Sequence, residues 1–201
     1  MIIWGKIKIE LWQGKQFFWS LFVFMLVFAL LDVNSFRERL VFNQNRVLFD
    51  HEFWRLFSCQ FVHWNRIHAL GNLAVFAGLI VLINKTAIYR AVVLLIVLTL
   101  GLGVALLAIK SIELYAGFSA TLYGLLVFTI LTMQSVSSVT KWFVVFVIVL
   151  KLLSELFHLI STEATASLIG ASVATDMHLI AAVLSILFYF FSDRLMVSRK
   201  A

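Results

Sequence analysis

Residues 52–76 read EFWRLFSCQFVHWNRIHALGNLAVF, and they set a Trp-Arg pair, two histidines and Asn72 against the front of an apolar run. Hydrogen-bonding groups at the threshold of a membrane span are costly in lipid unless protein or water satisfies them. The stretch therefore reads as a span entered through a polar site, and the rest of the chain has to supply the walls of that site.

The composition does supply them. Of 201 residues, 63% are hydrophobic and 13% charged, and the charges are bunched between long apolar blocks. A soluble bundle would instead alternate apolar and polar faces along each helix. Apolar runs near the roughly 20 residues needed to cross a bilayer fall at residues 17–33, 67–83, 91–109, 114–133, 142–160 and 173–191. The expected fold class is all-α, a polytopic membrane protein with six transmembrane helices. Proline is absent, so helix ends must be set by polar side chains and glycine. The first run ends in FALLDVNS without a small-x-small cleavage pattern and reads as an uncleaved anchor.

Lysine and arginine in the short connections give the orientation. Lys6, Lys8, Lys15, Lys85, Arg90, Lys141, Arg194, Arg199 and Lys200 share one side if both termini do, against Lys110 in the short loops opposite. Both termini are thus expected in the cytoplasm. The division that follows is an N-terminal segment (1–16), a membrane domain (17–192) with a long interfacial loop (34–66), and a tail (193–201). The loop carries Phe36, Phe42, Phe49, Phe53, Trp54, Phe57, Phe61 and Trp64, aromatics that need burial. The net charge of +6 sits at span ends, where lipid head groups and topology account for it, so nucleic acid is not an expected partner. The single cysteine, Cys59, has no disulfide partner and reads as a small apolar residue.

With this topology the second, fourth and sixth spans run inward from the outer side, and each bears a polar residue in its first turns. These are His68 and Asn72, Ser119 in YAGFSATLYG, and His178 in VATDMHLIAA. Ser119 is expected about five residues into its helix and His178 two to five into its own, which places both within roughly 10 Å of the outer boundary. A serine beside a histidine is a nucleophile with its general base, and neither need be charged at rest. The backbone N–H of Ser119, His68 and the Asn72 amide could stabilise an oxyanion. Tyr123, one turn after Ser119, could lay its ring on the base. Such chemistry calls for no metal and no cofactor. The blander reading makes each of these groups a hydrogen-bonding glue between helices; their common depth on three helices weighs against it.

At these residues the sequence resembles the rhomboid intramembrane serine proteases. Trp54 and Arg55 match the family's first-loop pair; His63, His68 and Asn72 its H-x4-H-x3-N element; Gly117, Ser119 and Tyr123 its G-x-S motif with a later aromatic; and His178 its last-helix histidine. The stretch KLLSELFHLISTEATASLIGASVATDMHL is similar to the rhombosortase subfamily in Lys151-x3-Glu155, in its loop and in its approach to the histidine. The resemblance implies a six-helix rhomboid-like bundle with Ser119 as nucleophile, His178 as base, and His68 and Asn72 as oxyanion aids. It also implies protein substrates with a C-terminal anchor of Gly-rich motif, hydrophobic segment and basic tail, cut at the periplasmic face of a Gram-negative inner membrane. Ala120 replaces the family's glycine after the serine, Tyr123 the subfamily's histidine, and Ala181 and Ser185 the small-residue ladder after the base. Larger residues there are expected to push helices apart.

Lys151 and Glu155 stand one turn apart inside the fifth span, where charges are expensive. They read either as a mutually neutralising pair or as a brace or substrate contact near the side entrance between the second and fifth spans, where the resemblance puts substrate entry. His158 reads as reaching the outer interface. The leading expectation is peptide-bond hydrolysis in the membrane. The alternatives are a catalytically silent relative that binds single-span clients, and a transporter, which should show inverted halves or broken helices.

Overall fold

The computed structural model describes the backbone of residues 2–31 and 34–198 and the side chains of residues 14–27, 29 and 37–192. The chain runs through α1 (Ile2–Leu31), α2 (Asn34–Leu40), the short strand β1 (Phe42–Asn43), α3 (Gln44–Phe49), α4 (Arg55–Ser58), α5 (Arg66–Leu82), α6 (Ile88–Ala108), β2 (Leu114–Tyr115), α7 (Ser119–Thr132), α8 (Ser138–Leu156), α9 (Glu163–Ile169) and α10 (Thr175–Ser198). The six apolar runs correspond to α1, α5, α6, α7, α8 and α10. Residues 2–16, assigned from charge to a separate segment, are helical and continuous with the first run. Asp32, Arg199 and Lys200 lie outside the described residues, as do the side chains of Lys6, Lys8, Phe36 and Arg194.

Helix starts follow from the absence of proline. Asn43, Asn65 and Ser137 each accept a hydrogen bond from a backbone amide in the first turn of α3, α5 and α8. Gly170, left-handed at φ +71°, closes α9.

The core is built around α7, which packs on α5, α6, α8 and α10, while α1 covers α5 and α6. Most of its residues are buried. Its fourteen residues rise only about 21 Å, against a hydrocarbon core of about 30 Å. A helix this short cannot cross that thickness by itself, and the helices packed around it shield its ends. Phe18, Phe76 and Phe118 meet edge to face beneath its start. On the outside of the bundle, Val81, Val104 and Val139 are largely exposed, as a lipid-facing surface should be. Two helical stretches, Lys85–Ala108 and Thr175–Ser192, are long and apolar enough to cross a membrane by themselves, and Gly14–Val27, Arg66–Leu82 and Ser119–Thr132 are shorter apolar helices. The architecture is an all-α membrane bundle.

Among the later helices, three differ from the sequence reading. The fourth helix begins at Ser119 and not at residue 114, because Phe42 and Asn43 pair antiparallel with Tyr115 and Leu114 and hold that segment extended. The fifth lies four residues earlier at each end, and the sixth continues beyond residue 191. The loop aromatics also divide. Phe42 is buried, but Phe49, Phe53, Trp54 and Phe57 are exposed on the protein, because the bilayer can solvate them where a soluble protein would have to cover them.

Candidate active site

Residues 109–118 bring the chain back toward the bundle in a form that only particular residues permit. Gln44 N–H donates to Glu113 O at 3.0 Å and Gly117 N–H to Cys59 O at 2.9 Å, while the buried Tyr115 hydroxyl donates to Gly117 O at 3.1 Å. Irregular backbone at membrane depth is tolerated when its polar groups are paired in this way. Gly117 has φ +137°, and a Cβ there would stand 2.7 Å from Cε1 of His68. The turn delivers Ser119 as the first residue of α7. First-turn amides have no acceptor within their own helix, and the helix dipole turns its positive end toward them.

His178 lies in the first turn of α10, itself buried. Its Nε2 is 2.8 Å from Ser119 Oγ. Its Nδ1 is buried without a hydrogen-bond partner among the described residues, so no carboxylate orients the imidazole. A ring does: Tyr123 lies with its centroid 4.7 Å from that of His178, tilted by 38°. Lys151 Nζ donates to the Tyr123 hydroxyl at 2.7 Å and pairs with Glu155 Oε1 at 2.8 Å.

His68 and Asn72 project from α5 into the same space. Asn72 is buried, and its Nδ2 and the Nδ1 of His68 have no partner among the described residues. His63, in the loop, meets His68 edge to face at 4.9 Å, and burial, then the neighbouring His68, hold its imidazole down at about 3, far below the ordinary 6.5.

Two cavities meet at Ser119, His178 and His68. One, of about 420 Å³, opens between the loops and is lined by polar groups that include Ser111, Glu113 and Asp176. The other, of about 380 Å³, lies between α5 and α8 and is lined by Gly71, Asn72, Tyr123, Lys151 and Glu155. The serine is thus bordered by one cavity at the loop end and by another at the side of the bundle. Among the described residues no group of three or more His, Cys, Asp or Glu is placed to hold a metal ion.

A family model described as the Rhomboid domain matches residues 50–194, well over half of the chain. The chain belongs to the rhomboid family. No curated protein and no solved structure matches it. Rhomboids are in general intramembrane serine proteases acting on membrane-protein substrates, with some inactive members, and the all-α bundle here is rhomboid-like.

Not every residue singled out in the sequence stands at the rhomboid's cavities. Arg55 is buried under the loop, where it donates to Glu52 Oε2 at 2.5 Å and to the carbonyls of Glu38 and Val41 at 2.7 Å. Trp54 is exposed and donates to Arg39 O. Both fasten the loop and line neither cavity. His158 is exposed, in a turn with φ +58° just past α8.

The substitutions in the helix ladder do not hold the rhomboid's helices apart. Ala120, Ala181 and Ser185 are fully buried, and α7 lies against α10 along its length. The space comes from the opposite helix: a Cβ on Gly124 would be 2.8 Å from Ser185 Oγ and 2.6 Å from Leu98 Cδ1.

Two polar ties were missed in the sequence reading. Gln60, fully buried, donates to Thr99 O on α6 at 3.0 Å and accepts from Thr121 Oγ1 on α7 at 2.7 Å. Asn65, recognisable as a cap, also donates to Leu168 O at 2.8 Å and fastens α9 beside the cavities. A lone glutamine among aromatics, and a threonine two residues after the motif serine, were the available signals.

Proposed function

We propose that this rhomboid is an active serine endopeptidase of the rhombosortase type, with Ser119 as nucleophile and His178 as general base. The observation that carries the reading is the 2.8 Å contact between Ser119 Oγ and His178 Nε2, contributed by separate helices. In the reaction Oγ attacks the scissile carbonyl as its proton passes to Nε2. The oxyanion is met by the Ser119 amide, His68 and Asn72, whose unpartnered donors are in place before charge develops. Protonated His178 then gives its proton to the leaving amine, and water entering from the loop-end cavity hydrolyses the acyl-enzyme with His178 again as base. With Nε2 accepting, the ring proton belongs on Nδ1.

The client is a protein with a single C-terminal anchor, entering between α5 and α8 and cut near the outer face of the inner membrane, with both termini of the enzyme in the cytoplasm. The Lys151-x3-Glu155 pair, the loop before α10 and the lysine and arginine distribution support this. A silent, client-binding relative would have no use for a serine and a histidine in bonding contact. The test is labelling with a fluorophosphonate probe, together with co-expression of a tagged protein bearing a Gly-Gly anchor and mass spectrometry of the released end. Ser119→Ala is expected to abolish both labelling and release; labelling equal to wild type would overturn the proposal.

A further inference from the structure

The ion pair in α8 remains once the reacting groups have their roles. We propose that Lys151 is a positioning residue for the base, acting through the hydroxyl of Tyr123, with Glu155 holding the lysine in place for that purpose. The inference rests on reading Ser119 and His178 as nucleophile and base.

The need arises at His178. Its Nδ1 has no partner among the described residues, and its only side-chain hydrogen bond there is the one to Ser119 itself. A base that takes the serine proton and then passes it to the leaving amine gives up its bond to the serine on the way, so the serine alone cannot orient it and ring packing has to fix the imidazole. Tyr123 supplies that packing from α7, with a separation of 4.7 Å between centroids. A tyrosine ring changes place by moving between its χ1 wells, and a partner at the hydroxyl, the far end of the ring axis, holds it in one of them.

Lys151 ties it, from another helix. Its ammonium donates to the phenol oxygen at 2.7 Å and stands 5.1 Å from the ring centroid. A pair serving only to neutralise itself would be complete at the 2.8 Å contact with Glu155 and would not need the phenol. Glu155 is the more enclosed partner, its side chain 11% exposed against 43% for Lys151. It is therefore suited to hold the lysine from behind while the lysine borders the cavity. The tie also matters because α8 is loosely seated otherwise: only Val145 and Leu152 on it are buried. Glu155, Lys151, Tyr123 and His178 thus form one chain of contacts from α8 to the base.

The test uses the full chain in proteoliposomes and a fluorophosphonate-rhodamine probe, following the labelling of Ser119 over time at several probe concentrations. Lys151→Met is expected to lower the maximal labelling rate about tenfold, a fraction of the roughly 10²–10⁴ that a positioned base supplies. The half-saturating probe concentration should not change. Tyr123→Phe keeps the ring and the ion pair but loses the hydroxyl, and should show a similar loss. The double variant should fall no further than either single one, as expected for two residues acting through one contact. The inference is overturned if Tyr123→Phe labels at the wild-type rate, if Lys151→Met costs a second tenfold in the Tyr123→Phe background, or if only the half-saturating concentration moves. Should Lys151→Met fail to fold, Tyr123→Phe alone decides. Labelling that survives Ser119→Ala would remove the proteolytic reading itself, whereas Ser119-dependent labelling unchanged by Tyr123→Phe removes only the positioning role.

Discussion

Gly117 and His68 occupy each other's space: a Cβ on the glycine would lie 2.7 Å from Cε1 and 3.0 Å from Nε2 of the histidine, at a backbone φ of +137°. The glycine therefore sets the turn that delivers Ser119 and also leaves the imidazole its seat beside the serine. Gly117→Ala should be doubly harmful. It is expected to cost about 1–3 kcal/mol from the dihedral alone and to slow Ser119 labelling at least about 10²-fold, since a misplacement near 1 Å is enough for that. Adding His68→Ala should relieve the contact but not the dihedral, so thermal stability should return only in part. Stability is read from unfolding of the detergent-solubilised protein, and a Gly117→Ala protein with wild-type melting and labelling would refute the account.

His68 and Asn72 are expected to act on turnover more than on the nucleophile. Loss of one oxyanion donor costs about 10²–10³ in rate, and the contact between Ser119 and His178 does not pass through either residue. His68→Ala and Asn72→Ala should therefore abolish most release of an anchored reporter while leaving part of the fluorophosphonate labelling. If both variants instead fail to accumulate as folded protein, the two side chains belong to helix packing.

These residues were legible because each interrupts an apolar run with a group lipid cannot satisfy, and their spacing kept Ser119 with Tyr123, and His68 with Asn72, on common helix faces. The start of α7 was not legible. It depends on Leu114 and Tyr115 pairing with Asn43 and Phe42, a contact across the whole of α3 to α6 that leaves no periodic trace and makes a plain apolar run look like five more residues of helix. The contact of Lys151 with Tyr123 was hidden for a related reason. A lysine four residues before a glutamate already explains itself within one helix, and only the packing of α8 on α7 reveals a second partner.

Ser185 and Gly124 allow a test of how the bundle absorbs its unusual ladder. Ser185 is fully buried, and its hydroxyl has no partner among the described residues. Removing an unpaired buried hydroxyl is neutral or favourable, so Ser185→Ala should leave stability unchanged or raise it by about 1 kcal/mol. Gly124→Ala should destabilise, with Leu98 and Ser185 both in the way, and Ser185→Gly should recover part of that loss. Additive behaviour in the double variant, measured by thermal unfolding, would mean the two positions do not share the space inferred here.

Gln60 joins the first loop to α6 and α7 at once, through Thr99 O and Thr121 Oγ1. Gln60→Leu would leave the Thr121 hydroxyl without its acceptor in a buried place, a loss of about 1–3 kcal/mol. Adding Thr121→Val removes that orphan, so the double variant should be more stable than Gln60→Leu alone. A double variant that is less stable would show that the glutamine matters for packing and not for pairing.

His63 should make the loop sensitive to acid. Burial, and after it the nearby His68, hold its imidazole at about 3 in the folded protein, against 6.5 ordinarily. A histidine with a depressed folded value favours folding when neutral, and the unfolded chain takes up the proton first. Its contribution is therefore complete above about pH 6.5 and drains away as the pH falls toward 3. His63→Phe keeps a ring against His68 and removes the proton site, so its melting temperature should fall less steeply than that of wild type between pH 6.5 and 4. Thermal unfolding across that range, at constant ionic strength and with both proteins in the same detergent, reads the difference. Parallel curves would assign the acid sensitivity to other groups, because His63 is the one titrating site that differs between the two proteins.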